Sequence, residues 1–128
     1  MKITVIIARS ILGLIFLVFG LNFFLHFIPM APPPGKAGAF QGGLFQSGYF
    51  FPFLKVIETI SGLFLLINRY TALFLLLLFP ITVNICLFHA FLEPSGLPLG
   101  GLMLAIHLFL GYAYFKYYRD IFTVQPVV

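Results

Sequence analysis

FPFLKVIETISGLFLLI, Phe51 to Ile67, is apolar enough to belong in a lipid bilayer, yet it carries Lys55 and Glu58 three residues apart in its first half. Extended to Phe50, the run holds twelve Phe, Leu, Ile and Val residues. Each of these favours insertion by about 0.3–0.6 kcal/mol, whereas a charge at the helix centre opposes it by about 2.5–3.5 kcal/mol. The run therefore inserts only narrowly, and a pair of charges in it has to be accounted for.

Composition around this stretch supports the membrane reading. The chain has 128 residues, 62% hydrophobic and 8% charged, where a soluble domain has about a quarter of its residues charged. So few charges leave too little polar surface to cover a soluble fold of this size. Four apolar runs emerge, at about residues 3–28, 50–67, 70–92 and 97–118. At 1.5 Å per residue each is about 27 Å or longer, enough to cross a hydrocarbon core of roughly 30 Å. Lipid offers backbone groups no outside partner, so the spans must be helical. The expected fold is all-α: a polytopic four-transmembrane-helix bundle, one domain over residues 1–128. The first run is too long for a cleaved secretory signal and contains Arg9, so it is expected to be retained.

Charge orients the bundle. With four spans, Lys2, Arg9, Arg69, Lys116 and Arg119 fall at one face, Lys36 and Lys55 near the other. Positive residues favour the cytoplasmic side, which puts the N and C termini in the cytoplasm and the 29–49 loop outside. The net charge of +4 thus serves orientation at helix ends, and no nucleic-acid partner is implied. Single Cys86 excludes an intramolecular disulfide. In the outer loop, Pro29 and Pro32–Pro34 stop the first helix. Beyond them, Lys36 to Ser47 reads equally as a short interfacial or re-entrant helix and as a glycine-rich flexible loop, since Ala37, Phe40, Leu44 and Phe45 recur at near-helical spacing.

Lys55 and Glu58 share a helical face at i and i+3. Lys55 can extend its amine to the headgroups. Glu58 is deeper and too short to do so, and must be paired, hydrogen-bonded or protonated. Counted inward from the outer helix ends, Asn22 lies about 9 Å deep, Glu58 and Asn84 about 12 Å and His107 about 15 Å. One polar layer fed by all four helices is expected, forming a cavity that opens outward. His26 and His89 lie nearer the outer mouth, where an interfacial aromatic with a polar tip is the plain alternative. Asn22 and His26 share a face, while Asn84 and His89 are about 140° apart unless Pro80 alters the register. The segments NFFLHFIP (Asn22–Pro29) and NICLFHAFLEP (Asn84–Pro94) echo one another weakly, as two hairpins related by a pseudo-two-fold axis would, with coincidence in so apolar a composition an at least equal reading. Gly13, Gly20, Gly62, the Gly101–Ala105 step and Gly111 are expected to face inward for tight packing.

Together, ARSILGLIFLVFGLNFFLHFIP, KVIETISGLFLLINRY with its E-x-x-x-G-L-x-L-L pattern, and LFPITVNICLFHAFLEPSGLP resemble the DoxX-like family of small four-helix membrane proteins. The resemblance covers nearly the whole chain, through motifs that are hydrophobic and moderately specific. It implies a multi-pass protein of a bacterial cytoplasmic (inner) membrane with a loose association with redox chemistry, and it matches Glu58 to the family's second-helix glutamate without assigning it a catalytic role.

Three functions follow as expectations. A redox-associated subunit would bind a quinone or other small apolar ligand in the outer half, using Glu58, His107, Asn22, Asn84 and Lys55, with electrons from a partner membrane or redox protein because no redox group is encoded. An assembly or scaffolding protein would use the polar layer to fix helix register. A proton-coupled transporter would titrate Glu58 and act as a homo-oligomer. Three histidines without tight ligand spacing make a metal or haem site a weak alternative, and no catalytic residue is identified.

Overall fold

The computed structural model describes residues 1–128 and is entirely helical. Its elements are α1 (Lys2–Leu25), α2 (Gly35–Gln46), α3 (Phe50–Leu66), α4 (Thr71–Phe91) and α5 (Leu97–Ala113), with short 3-10 turns at Pro94–Gly96, Phe115–Tyr117 and Arg119–Phe122. Three helical stretches, α1, α4 and Pro94–Ala113, are long and apolar enough to cross a membrane. A fourth arises if α2 and α3, bent by 93° to one another, count as one broken span.

Local chemistry sets the ends. α1 stops at His26, which takes the left-handed conformation (φ 54°) while its N–H bonds the Asn22 carbonyl, just before the proline-rich stretch. The segment between Lys36 and Ser47, readable as helix or loop, is helical. Two glycines with positive φ, Gly35 (66°) and Gly48 (81°), flank α2, and such values are cheap only for glycine. α3 ends in a Schellman motif: Asn68 sits at φ 54°, its N–H bonding Leu65 O (3.4 Å) and that of Arg69 bonding Phe64 O (3.0 Å). Asn68 Oδ1 then accepts from Thr71 Oγ1 at 2.7 Å, which starts α4, and Phe64 stacks on Phe74 across the turn with centroids 4.9 Å apart. The last helix ends at Ala113, five residues before the end of the apolar run, because the chain tightens into 3-10 turns there.

Packing organises the helices into two antiparallel pairs, α1 with α3 and α4 with α5, joined by the short α3–α4 turn. The α1/α3 seam is the closest. A Cβ on Gly62 would lie 2.6 Å from Gly13 O and 2.5 Å from Leu17 N, and one on Gly20 would meet Thr59. Without side chains the two backbones touch, which is how membrane helices associate when lipid removes the hydrophobic drive. The α4/α5 pair uses Gly100, packed on Cys86 and His89. The expected Gly101–Ala105 step is one residue out of register: Gly101 has open space beside it and Ala105 is exposed. Gly111 likewise touches no neighbouring helix. Ala8, Leu12 and Phe16 of α1, Leu65 of α3, Leu75 and Leu78 of α4, and Met103 and Leu110 of α5 form the common core.

Arg9 has a structural partner that the sequence did not reveal. It is buried against the C-terminus of α3, its guanidinium donating to Leu65 O at 2.6 Å and Leu66 O at 3.4 Å. A cation on the last carbonyls of a helix satisfies groups left without intrahelical partners and complements the helix dipole.

Candidate ligand-binding cleft

The two helix pairs part company toward the end where α2 lies. There a cleft of about 460 Å³ opens between α3 and α4, with α2 and Met30 along its rim. Leu54, Lys55 and Glu58 supply the α3 wall; Pro80, Ile81, Asn84, Ile85, Phe88 and His89 the α4 wall; and Phe40, Gln41 and Leu44 come from α2. Phe50 and Phe51 complete an aromatic end, where their rings meet edge to face at 5.6 Å, and Phe40 and Phe88 lie 5.9 Å apart. The volume falls within the range of about 300–1,000 Å³ typical of small-molecule sites.

Glu58 is the only carboxylate in this lining and is almost wholly buried. Its Oε2 meets Lys55 Nζ at 3.1 Å and takes no other polar contact. The pair is lopsided, since the Lys55 side chain is 21% exposed and that of Glu58 4%. Lys55→Met is therefore expected to destabilise the protein more than Glu58→Gln, because it strands a charge whereas the amide does not. A buried pair that loses one partner typically costs about 3–5 kcal/mol, an upper bound here because the lysine side chain is partly exposed. Thermal unfolding of the two single variants and the double variant in detergent checks this. The double variant should recover part of the loss, and a Lys55→Met protein as stable as the parent would show that the pair is not needed.

The expected polar layer divides. Glu58, Lys55, Asn84 and His89 line the cleft together, but His107 and Asn22 do not join them. His107 is buried between α4 and α5, where Nε2–H donates to Leu75 O (2.8 Å) and Nδ1 accepts from Thr82 Oγ1 (2.9 Å). With both nitrogens used, it braces the α4/α5 pair. Asn22 is buried with its amide turned on its own chain, accepting from Ile28 N–H (2.7 Å) and donating to Ile28 O (3.1 Å) and Met30 Sδ (3.4 Å). Its influence on the cleft is indirect, through the position of Met30. His26, at the end of α1, is exposed and off the cleft lining. The physical reason is rotational. Equal depth fixes a residue along the helix axis but not around it, and at about 100° per residue Asn84 points roughly 200° away from Thr82. The same geometry leaves His89 at the edge of the cleft, its ring against Gly96 and Gly100 and Nδ1 3.1 Å from Glu93 O.

Met30, Gln41 and Thr82 were not singled out by sequence. Thr82 carried a faint signal, a hydroxyl within a membrane-length apolar run; Gln41 had none until α2 was seen to fold over α3 and α4. No three His, Cys, Asp or Glu side chains come together in a geometry that could hold a metal ion. Comparison with protein-family models, curated proteins and solved structures found no match.

Proposed function

We propose that this chain is a four-span protein of a bacterial cytoplasmic membrane, both termini in the cytoplasm, that binds a small, largely apolar ligand with a hydrogen-bonding head in the α3/α4 cleft and serves as a redox-associated subunit. The observation that carries this reading is Glu58: a buried carboxylate bordering an otherwise aromatic and aliphatic cavity, with a single cation as its partner. Intramembrane ionisable groups are costly to keep and usually mark a functional site. Asn84 and Gln41 supply amide donors and acceptors for a head such as a quinone carbonyl, and the phenylalanines a surface for its ring. Electrons would come from a partner protein. The redox association rests on the resemblance to the DoxX-like family read from the sequence.

The test is equilibrium binding of a short-tailed quinone analogue to the purified protein in lipid nanodiscs. Saturable binding is expected, lost when Ile81→Trp fills the cleft; the reduced, quinol form of the analogue, whose hydroxyl can donate to the carboxylate, should bind Glu58→Gln about tenfold or more weakly, the loss of one charge-assisted hydrogen bond. Absence of binding, together with no quinone in lipid extracts of the purified protein, would sink the proposal. The scaffolding reading has its own support, since His107 and Asn22 spend their polar groups entirely on the chain itself. Under that reading Glu58→Gln leaves the capture of neighbouring membrane proteins unchanged.

A further inference from the structure

A second cavity lies at the other end of the molecule, remote from the cleft and unused by the reading above. It occupies about 260 Å³ between the first half of α4 and the last half of α5, closed on one side by the 3-10 turns that follow. Leu75, Leu76, Phe79, Leu108, Phe115 and Phe122 make its walls, with Phe115 stacked on Phe122 at 6.2 Å. Two polar side chains also border it, His107 and Tyr118, and both are already committed. His107 has both nitrogens engaged, and Tyr118 donates its hydroxyl to Ala72 O at 2.7 Å. The groove therefore offers a ligand no free hydrogen-bond donor, and its mostly apolar lining suits a hydrocarbon occupant.

Gly111 adds an independent observation. It stands within α5 and lines the groove, yet a Cβ built there would meet nothing within 4 Å. Glycine inside a helix costs roughly 0.5–1 kcal/mol relative to alanine. At Gly13 and Gly62 the close approach of a neighbouring helix accounts for the glycine; at Gly111 nothing in the protein does. Gly101 in the same helix is equally open, but of the two only Gly111 lines the groove, which its missing side chain enlarges.

Charge at the mouth identifies the head. Helix directions bring Lys2, Arg69, Lys116 and Arg119 to this end, all exposed, against one exposed carboxylate, Asp120. Lys116 and Arg119 belong to the same turns that wall the groove, and Lys116 lies 5.0 Å over the Tyr117 ring, among the aromatic residues that favour the headgroup level of a bilayer. From this juxtaposition we infer that the α4/α5 groove is a binding site for an anionic phospholipid of the bilayer, one acyl chain lying over Gly111 and the phosphate held by Lys116 and Arg119.

The test uses the full chain in neutral detergent, with thermal stability followed while phosphatidylglycerol, phosphatidylcholine or chain-free glycerol phosphate is added. Phosphatidylglycerol is expected to raise the midpoint at concentrations on the order of tenfold lower than phosphatidylcholine, since each basic residue near a phosphate contributes to anionic-lipid affinity. Glycerol phosphate should do nothing. Gly111→Leu, which meets no protein atom at its Cβ, should fold and lose the phosphatidylglycerol response. Lys116→Gln with Arg119→Gln, both at exposed positions, should fold and bring phosphatidylglycerol down to the phosphatidylcholine response. Equal responses to the two lipids in the parent protein, an effect of glycerol phosphate alone, or an unaltered response in Gly111→Leu or in the double glutamine variant would each overturn the assignment.

Discussion

Gly62→Leu is expected to eliminate the folded protein: aggregated or void-volume material in size-exclusion chromatography, with no cooperative thermal transition. A Cβ at this position would sit 2.5 Å from Leu17 N and 2.6 Å from Gly13 O, and both are backbone atoms of α1. No rotamer change relieves such a clash, so α1 and α3 must separate, and theirs is the most extensive helix contact in the molecule. Ordinary overpacking of a core costs about 1–3 kcal/mol with side chains free to adjust. Here they are not, and the cost falls on a protein whose total stability is on the order of 5–15 kcal/mol. Gly62→Ala should retain a transition at a clearly lower midpoint. Gly101→Ala is the matched control, since a Cβ there meets nothing; its expected effect is neutral to stabilising by roughly 0.5–1 kcal/mol. A Gly62→Leu protein that elutes and melts like the parent would refute the close-packed seam.

The second large effect is expected at Arg9. Arg9→Leu removes the donor that Leu65 O accepts at 2.6 Å and Leu66 O at 3.4 Å, leaving the end of α3 buried with its carbonyls short of partners. A hydrogen bond to a charged group contributes about 1.5–3 kcal/mol, and a cation at a helix C-terminus adds about 0.3–1 kcal/mol. Relief from burying an unpaired guanidinium offsets part of this, so a net loss of about 1–3 kcal/mol follows. Thermal unfolding gives the magnitude, and amide exchange gives the place: Asn68 and Arg69, whose N–H groups close the Schellman motif, should exchange faster than in the parent. Arg9→Lys should recover part of the stability, having a point charge but no guanidinium fork. Unchanged exchange at this turn would mean that Arg9 does not hold it.

Both variants concern contacts whose members sequence reading had noticed and assigned to something else or left without a partner. Gly13, Gly20 and Gly62 stood out as small residues in long apolar runs; Gly13 and Gly62 do meet, and Gly20 packs against Thr59. Gly101 and Gly111 stood out for the same reason and do not, while Gly100, one position away, does. Arg9 was assigned to orientation because arginine near a helix end usually belongs there. Its partner lies 56 residues along the chain, a separation that no local pattern encodes. The polar residues divide in the same way. Glu58 and Asn84 reach one cleft as their depths suggested, whereas His107 is turned to the opposite face of α4 and Asn22 is occupied by the chain at Ile28 and Met30.

What the sequence determined by itself was the solvent and therefore the class of structure. With 62% hydrophobic and 8% charged residues, the chain suits lipid, where the backbone has to satisfy its own hydrogen bonds, and an all-helical fold with apolar runs of membrane length is the outcome. Tertiary structure alone decided how each helix is rotated about its axis, because glycine seams and a few long-range hydrogen bonds, not hydropathy, set that angle when every face is apolar. That rotation sends Glu58 into a cleft roofed by α2, His107 into a brace between α4 and α5, and Gly111 onto a groove it leaves empty.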